Sequence, residues 1–485
     1  MTSAPPPPGT PAPGPSPSGP AAPAAAPPPP GPTARPAPPS PAPLTPLNPP
    51  DRLNPPDPSR PDPGRPAAAC PAGARSPAPA GTAPSGPASP AVRDWAVDDL
   101  PGLDFDPLLA EALATEPVAR IRLPFGDGRE AWLVTRYADV RAVTSDPRFS
   151  RTALLDRRVT GMTGHMVASK AALNYADPPY HTQLRKSVTR TFTGRGTQRL
   201  RPLAQAACDR LLDGMEAAGR PADLMRHLHG PLPMAVVCDL LGIPEEDRAS
   251  LASWPDLILS SGPGPEGSRA AKAQIHGYVT ALLDRRRAEP REDLAGELAQ
   301  SVAEGRISTD EAVSLAMAVL ISGAHAVRNN SANMVYVLLT RPDLMARLRA
   351  EPELLPQAVD ELLRWIPHRN GVGLPRIATE DVEVGGTVIR AGEAVYASYL
   401  AANRDPAVFA DPEVLDFGRT GTGHVSFGHG PHHCVGALLT RMESEVMLAS
   451  LLARYPRLRL AGRPEDVPFQ SKGLIRGPRE LYVTW

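Results

Sequence analysis

The stretch at residues 427–443, FGHGPHHCVGALLTRME, gathers the side chains of this chain best able to do chemistry. Cys434 is at its centre. Gly428, Gly430 and Gly436, with Pro431, keep the surrounding backbone from being regular helix or strand. The glycines allow φ > 0 and a close main-chain approach to a flat ligand. Beyond the cysteine, Leu438, Arg441, Met442, Glu445, Val446 and Ala449 recur at helical spacing, which places Cys434 at the mouth of a helix. Free N–H groups and the positive dipole end stabilise a thiolate there, and the thiolate is the form that ligates iron. Two other readings stay open: Cys434 as a small buried side chain, and a zinc site built from His424, His429, His432, His433 and Cys434. The zinc reading lacks a second cysteine pair at finger-like spacing.

Three further groups could do chemistry. Residues 307–342 read as one long helix, apolar nearly all round, yet its middle holds the run HAVRNN, with His325, Arg328, Asn329 and Asn330. Gly323, Ala326 and Asn330 fall roughly along one face. A buried Arg328 must meet a carboxylate, a carbonyl or water. In DPPYHTQLRKSVTRTF, His181 and Arg185 stand four apart, by spacing alone a solvated basic face. In QAVDELLRWIP, Glu361 and Arg364 stand three apart, an ion pair worth a few tenths of a kcal/mol when exposed.

The order Phe427-Gly428-x-Gly430-x-His432-x-Cys434-x-Gly436 resembles the haem-binding loop of the cytochrome P450 family, with every defining position filled. DPPYHTQLR, the Glu361-x-x-Arg364 helix and AANRDP resemble three more motifs of that family, in the right order, over about residues 95–485. The resemblance implies a mainly α fold with a small β region and haem b between the long central helix and the cysteine-loop helix. Cys434 is then the iron ligand, cradled by Phe427, Gly428 and Gly436. His181, Arg185, Arg376 and His432 are the implied propionate partners, and Glu361, Arg364 and Arg404 a structural ion-pair triad. Electrons are implied to come from NAD(P)H through a separate ferredoxin and ferredoxin reductase, docking near the basic residues around the cysteine loop. The usual reaction inserts one oxygen atom into a small molecule, and the bacterial-type pattern suggests natural-product tailoring. The family also places loops over the substrate at 152–175, around 260–268 and at SKGLIRG near the end.

One departure bears on mechanism. Counting back from Arg341-Pro342-Asp343, Gly323 aligns with the family's Gly-x-acid-Thr, putting His325 at the acid and Ala326 at the alcohol. No carboxylate lies between Glu311 and Asp343 and no hydroxyl between Ser322 and Ser331. The catalytic candidates are therefore Ala326, His325 and Asn330. Either protons reach bound oxygen through the substrate or a water, or no oxygen is inserted and hydrogen abstraction leads to radical coupling or ring closure. The second is the favoured expectation, for an aromatic or peptide-like substrate, with Arg369, Asn370 and Val372 as contacts. A haem-binding or recruitment protein without turnover is the remaining class.

The elements that must position these groups lie in the last four-fifths of the chain. Of 63 prolines, 35 precede Val92, in a segment of Pro, Ala, Gly and Ser with no aromatic residue. Such a composition cannot bury enough apolar surface to offset ordering entropy, so residues 1–92 are expected to be disordered and partly polyproline II. They are read as a tether, a ligand for proline-binding modules or, preferred, a leader from a start site placed too far upstream, with Val92 or Val97 as alternative starts. Residues 93–485 form the haem-thiolate domain, long enough for a large core. Net charge is −1 with both signs interspersed, which leaves no nucleic-acid footprint. Four scattered cysteines make no disulfide framework. A cytoplasmic monomer without a membrane segment is expected. VARIRLP and AWLVTRY read as a hairpin, 197–300 as mostly helix, and GLPRIATEDVEVGGTVIRAGEAVYAS as strands with glycine turns.

Overall fold

A computed structural model describes residues 91–95, 100–162, 169–251, 264–369, 372–470 and 475–485. Asn370, Cys70, the leader before residue 91 and residues 260–263 of the loop expected around 260–268 lie outside the described residues, while 264–268 of that expected loop are helical. In chain order come β1 (Val92–Asp94), α1 (Pro107–Thr115), β2 (Val118–Arg122), β3 (Ala131–Val134), α2 (Tyr137–Ser145) and β4 (Phe149–Ser150). A run of helices follows: α3 (Tyr180–Thr189), α4 (Gly194–Ala218), then strand β5 (Ala222–Asp223), α5 (Pro231–Leu241), α6 (Glu245–Leu251), α7 (Gly264–Ala288), α8 (Leu294–Ala303), α9 (Thr309–Thr340), α10 (Pro342–Ala350) and α11 (Leu355–Trp365). Strands β6 (Arg376–Ala378), β7 (Val382–Val384), β8 (Thr387–Ile389) and β9 (Ala394–Ala397) precede α12 (Tyr399–Ala402), α13 (Ala437–Arg454), β10 (Arg459–Leu460) and β11 (Tyr482–Thr484). The architecture is mainly α with a small β region.

The sheet order is β1-β2-β3-β9-β6-β4, with the expected antiparallel hairpin β2–β3 in register Val118 to Val134. A chain begun at Val97 would lack β1, which pairs parallel to β2. Successive residues of β3 serve opposite faces: Trp132 and Val134 join one apolar cluster, Ala131 and Leu133 another. The larger core lies among the helices. Cys208 and Cys238 sit within it, their thiols pushed up to about 11 and about 12 by burial.

Helix α9 organises that core. Ser308, one residue before the expected Thr309, is its N-cap, because only Ser308 completes a capping box: its Oγ accepts from the Glu311 amide while Glu311 Oε2 accepts from the Ser308 amide. The helix is long and apolar enough to cross a membrane by composition. It packs here against α5, α7, α8 and α13. Packing against α5 is tight at Gly323, where a Cβ would stand 2.7 Å from Val237 Cγ2.

A buried ion-pair frame holds α11 to the loop before the cysteine. The Glu361 carboxylate accepts the fork of Arg364 at 2.7 and 2.8 Å, and also Arg419 Nε at 3.1 Å. Arg364 spends its remaining donors on the carbonyls of Asn403, Pro412 and Val414. The expected third member, Arg404, does not bridge Glu361. It pairs with Glu413 and stacks on Trp365 and Phe105, so Arg419 completes the triad. The reason is geometric: Arg364 already covers one edge of Glu361, and the open edge faces the loop that carries Arg419.

Candidate active site

The cysteine loop is built by short backbone bonds. The Cys434 amide donates to Phe427 O (2.8 Å) and that of Gly428 to Val425 O (2.8 Å). Gly430 has φ 72° and is pressed against α2, where a Cβ would lie 2.4 Å from Thr144 O. Gly436 does not need its freedom in that way: its φ is −85°, and it serves as the cap of α13. Helix α13 starts at Ala437, so Cys434 stands before the first turn instead of within it. Cys434 is exposed to the space beside the loop, and the desolvating protein packed around it pushes the thiol above its ordinary value, opposed by the Gly436 amide and by Arg185 and Arg441. Arg441 is held over the Phe427 ring at 4.8 Å and donates to Asp360 at 2.5 Å.

Cys434 opens into a cavity of about 410 Å³. One wall is the loop, with Phe427, Gly428, His432 and Gly436; the opposite wall is α9, with Ser322, Gly323, Ala326 and Asn330. Arg369, Val372, Leu400 and Ile475 close a third side. Ala326 and Asn330 thus meet Cys434 across one space. His325 does not line it. The ring lies buried beside Asn329, whose Nδ2 donates to His325 O at 2.9 Å, and the helical turn of 100° per residue carries 325 and 329 away from the cavity face. Arg328 points a third way, towards buried His229, whose charged form it disfavours.

A group of cations and histidines adjoins the cavity, which His432 and Arg151 line. Arg376 is buried with Nη2 unpartnered, and His181 is buried with Nε2 unpartnered. The rings of His181 and His432 lie 4.3 Å apart. Burial, with nearby cations, pulls His181 down to about 4 and His432 to about 2, so both are neutral at physiological pH and free to donate. Arg185 donates to Pro431 O at 3.3 Å, linking α3 to the cysteine loop.

Two residues here escaped the sequence reading. Arg151, after β4, is buried with Nε unpartnered, and burial plus the charge of Arg376 pulls it down to about 9. Its only sequence signal is an arginine with no nearby acid at helical spacing. Glu443 lines the cavity from α13, fully buried, with Oε2 unpartnered, and burial holds its carboxyl well above the usual range. In sequence it reads as one more helical acid. The zinc alternative fails geometrically: among the described residues no three His, Cys, Asp or Glu converge on an ion site. His429 instead meets Ser145 and Arg141, and His424 faces Asp360.

Comparison with known proteins decides the family. The cytochrome P450 family model matches residues 247–485. Over 396 residues the chain is 47% identical to the biflaviolin synthase of Streptomyces coelicolor, covering 82% of this chain and 97% of that one. The chain belongs to the cytochrome P450 family. Another relative, the nocardicin C N-oxygenase of Nocardia uniformis, is 44% identical over 81% of this chain and 98% of its own. Among solved structures, a P450 described as having biaryl coupling reactivity superposes with TM-score 0.78 at 45% identity, over 81% of this P450 and all of that chain. The chain is therefore an oxidoreductase of a family at work in secondary metabolism. The family's cofactor is haem, and this P450 fits it. A thiol at the floor of a glycine-rimmed cavity faces an apolar helix, and an edge of unpartnered buried donors matches a pair of carboxylates.

Proposed function

We propose that this P450 couples or cyclises an aromatic or peptide-like secondary metabolite by hydrogen abstraction, without inserting oxygen. In this reading Cys434 holds the haem iron, Phe427, Gly428 and Gly436 cradle the macrocycle, and His181, Arg185, Arg376, His432 and Arg151 bind its propionates. Thiolate-ligated haem supplies a strong one-electron oxidant from dioxygen. The protein supplies the rest: Arg369, with a buried unpartnered Nε, and Val372 hold and orient the substrate in the cavity. Two hydrogen atoms leave the substrates as the new bond forms, and two electrons from NAD(P)H send both oxygen atoms out as water. A ferredoxin and its reductase deliver those electrons to a cytoplasmic monomer.

The single observation carrying this reading is Ala326. It lines the cavity where the family's alcohol would stand, and no carboxyl of α9 accompanies it. The biaryl coupling reactivity named for one solved relative, 45% identical, supports the same outcome. The second reading, oxygen insertion, is favoured by Glu443, a buried carboxyl that lines the cavity, has Oε2 unpartnered and is held well above its ordinary range by burial, as suits a proton donor through a water or a substrate hydroxyl. Turnover of phenolic aromatics and cyclic dipeptides under labelled dioxygen separates them. Coupled product free of label is expected; stoichiometric label in the product refutes coupling.

A further inference from the structure

The polar run in the middle of α9 has a use that neither coupling nor hydroxylation requires. His325, Asn329 and Asn333 follow one another at four-residue spacing, and all three are buried. Asn329 and Asn333 face two paired arms near the chain's end, 469–470 and 475–478, where Gln470 N donates to Gly477 O at 2.8 Å and Phe469 bridges Pro478. Asn329 Oδ1 accepts from Gln470 Nε2 at 2.9 Å on one arm. Asn333 Nδ2 donates to Arg476 O at 2.9 Å on the other. The fit is tight, since a Cβ on Gly477 would stand 2.5 Å from Asn329 Oδ1.

The second arm also pairs with the segment after α11. The Arg476 amide donates to His368 O at 3.0 Å, and Ile475 bridges Arg369. Ile475 and Arg369 both line the cavity. A shift of the arms therefore moves one apolar and one cationic wall group together, whereas Ala326 and Asn330 stay on the helix.

We propose that Asn329 and Asn333 form a buried amide latch that sets the register of the paired arms 469–470 and 475–478, and with it the shape of the substrate wall made by Ile475 and Arg369. They are positioning residues for specificity, acting through Gln470 and Arg476 without touching substrate. The inference rests on reading this cavity as the substrate site. Amides are suited to the task because each bond they make is directional, and a buried partner left unpaired is costly. An apolar helix face would hold the arms against sliding only weakly.

The test uses two haem ligands on the loaded enzyme, read by optical titration. Imidazole reports the iron alone, and 4-phenylimidazole also needs room along the wall. Asn329→Leu and Gln470→Leu are each expected to lower the preference for 4-phenylimidazole over imidazole roughly three- to tenfold, the effect of one buried hydrogen bond. Imidazole affinity and the carbon monoxide spectrum should be unchanged. The double variant should add little to either single one. Gln470 is only half-buried at the periphery, so its variant keeps the test open should Asn329→Leu fold poorly. An unchanged preference in Gln470→Leu, or equal weakening of both ligands, overturns the latch. A wild-type enzyme with no preference for 4-phenylimidazole overturns instead the reading of the cavity on which the latch rests.

Discussion

Arg151 is expected to change sign in its effect on stability when haem is bound. Its guanidinium is buried, its Nε has no partner, and Nη1 reaches only Asn174 O at 3.2 Å. Burial and Arg376 pull it to about 9. At about 1.4 kcal/mol per pH unit, that drop from the ordinary arginine value amounts to about 5 kcal/mol held against the folded, haem-free protein. The sign follows from which form is disfavoured. The group is charged below about pH 9 in both states, so the cost is present in full at pH 7 and is relieved only above about pH 9. Replacing it by Met removes the charge and keeps most of the volume, and should stabilise the haem-free protein by up to about 5 kcal/mol. Under the proposed haem binding, the same arginine would meet a propionate carboxylate in the loaded enzyme, a charge-assisted bond worth about 1.5–3 kcal/mol. Arg151→Met should then release haem to an acceptor globin roughly ten- to a hundredfold faster. Denaturant unfolding of haem-free protein and haem-transfer kinetics measure the two halves. A loss of stability in the haem-free state, or unchanged haem release, would refute a cationic edge built for an anionic partner.

Glu361→Gln should cost about 3–5 kcal/mol in denaturant unfolding, because it leaves Arg364 and part of Arg419 buried without a counter-charge. Glu413→Gln, at the exposed partner of Arg404, should cost less than about 1 kcal/mol, and equal costs would contradict the corrected triad. His229 is fully buried, accepts or donates only at Nδ1 towards Ser331 (3.0 Å), and is held down to about 3. As pH falls below the ordinary histidine value the unfolded chain takes up a proton the folded one refuses, so stability should fall by about 1.4 kcal/mol per pH unit between about pH 6.5 and 3. His229→Gln should flatten that acid limb, and an unaltered limb would exclude His229 as its source. Cys434→Ser should abolish the red-shifted reduced–carbon monoxide band while leaving the helical circular dichroism in place; survival of the band would displace Cys434 as ligand.

The corrections share one physical origin. Periodicity says which residues share a face, but not what that face meets. Ser308 against Thr309 is a difference of one residue that only the reciprocal bonds with Glu311 resolve. Arg404 and Arg419 are equally plausible partners for Glu361 until the loop after Pro412 is folded around α11. The run from His325 to Asn330 looks like one functional cluster in the chain, yet α9 deals its members to the cavity, to the paired arms near the chain's end and to the side of His229.

What the sequence by itself determined is the chemistry that is local. The cysteine loop is contiguous, its glycines mark close packing, and Cys434 comes with the helix that follows it. That residues 323–330 of α9 carry no carboxylate and no hydroxyl is equally a property of one stretch. Tertiary structure alone decided the groups that converge from far apart. Arg151 and Arg376 couple across more than two hundred residues of chain, burial raises the carboxyl of Glu443 well above its ordinary range, and Asn329 finds its partner in Gln470. Burial and charge neighbours give these residues their character, and both exist only once the helices have packed.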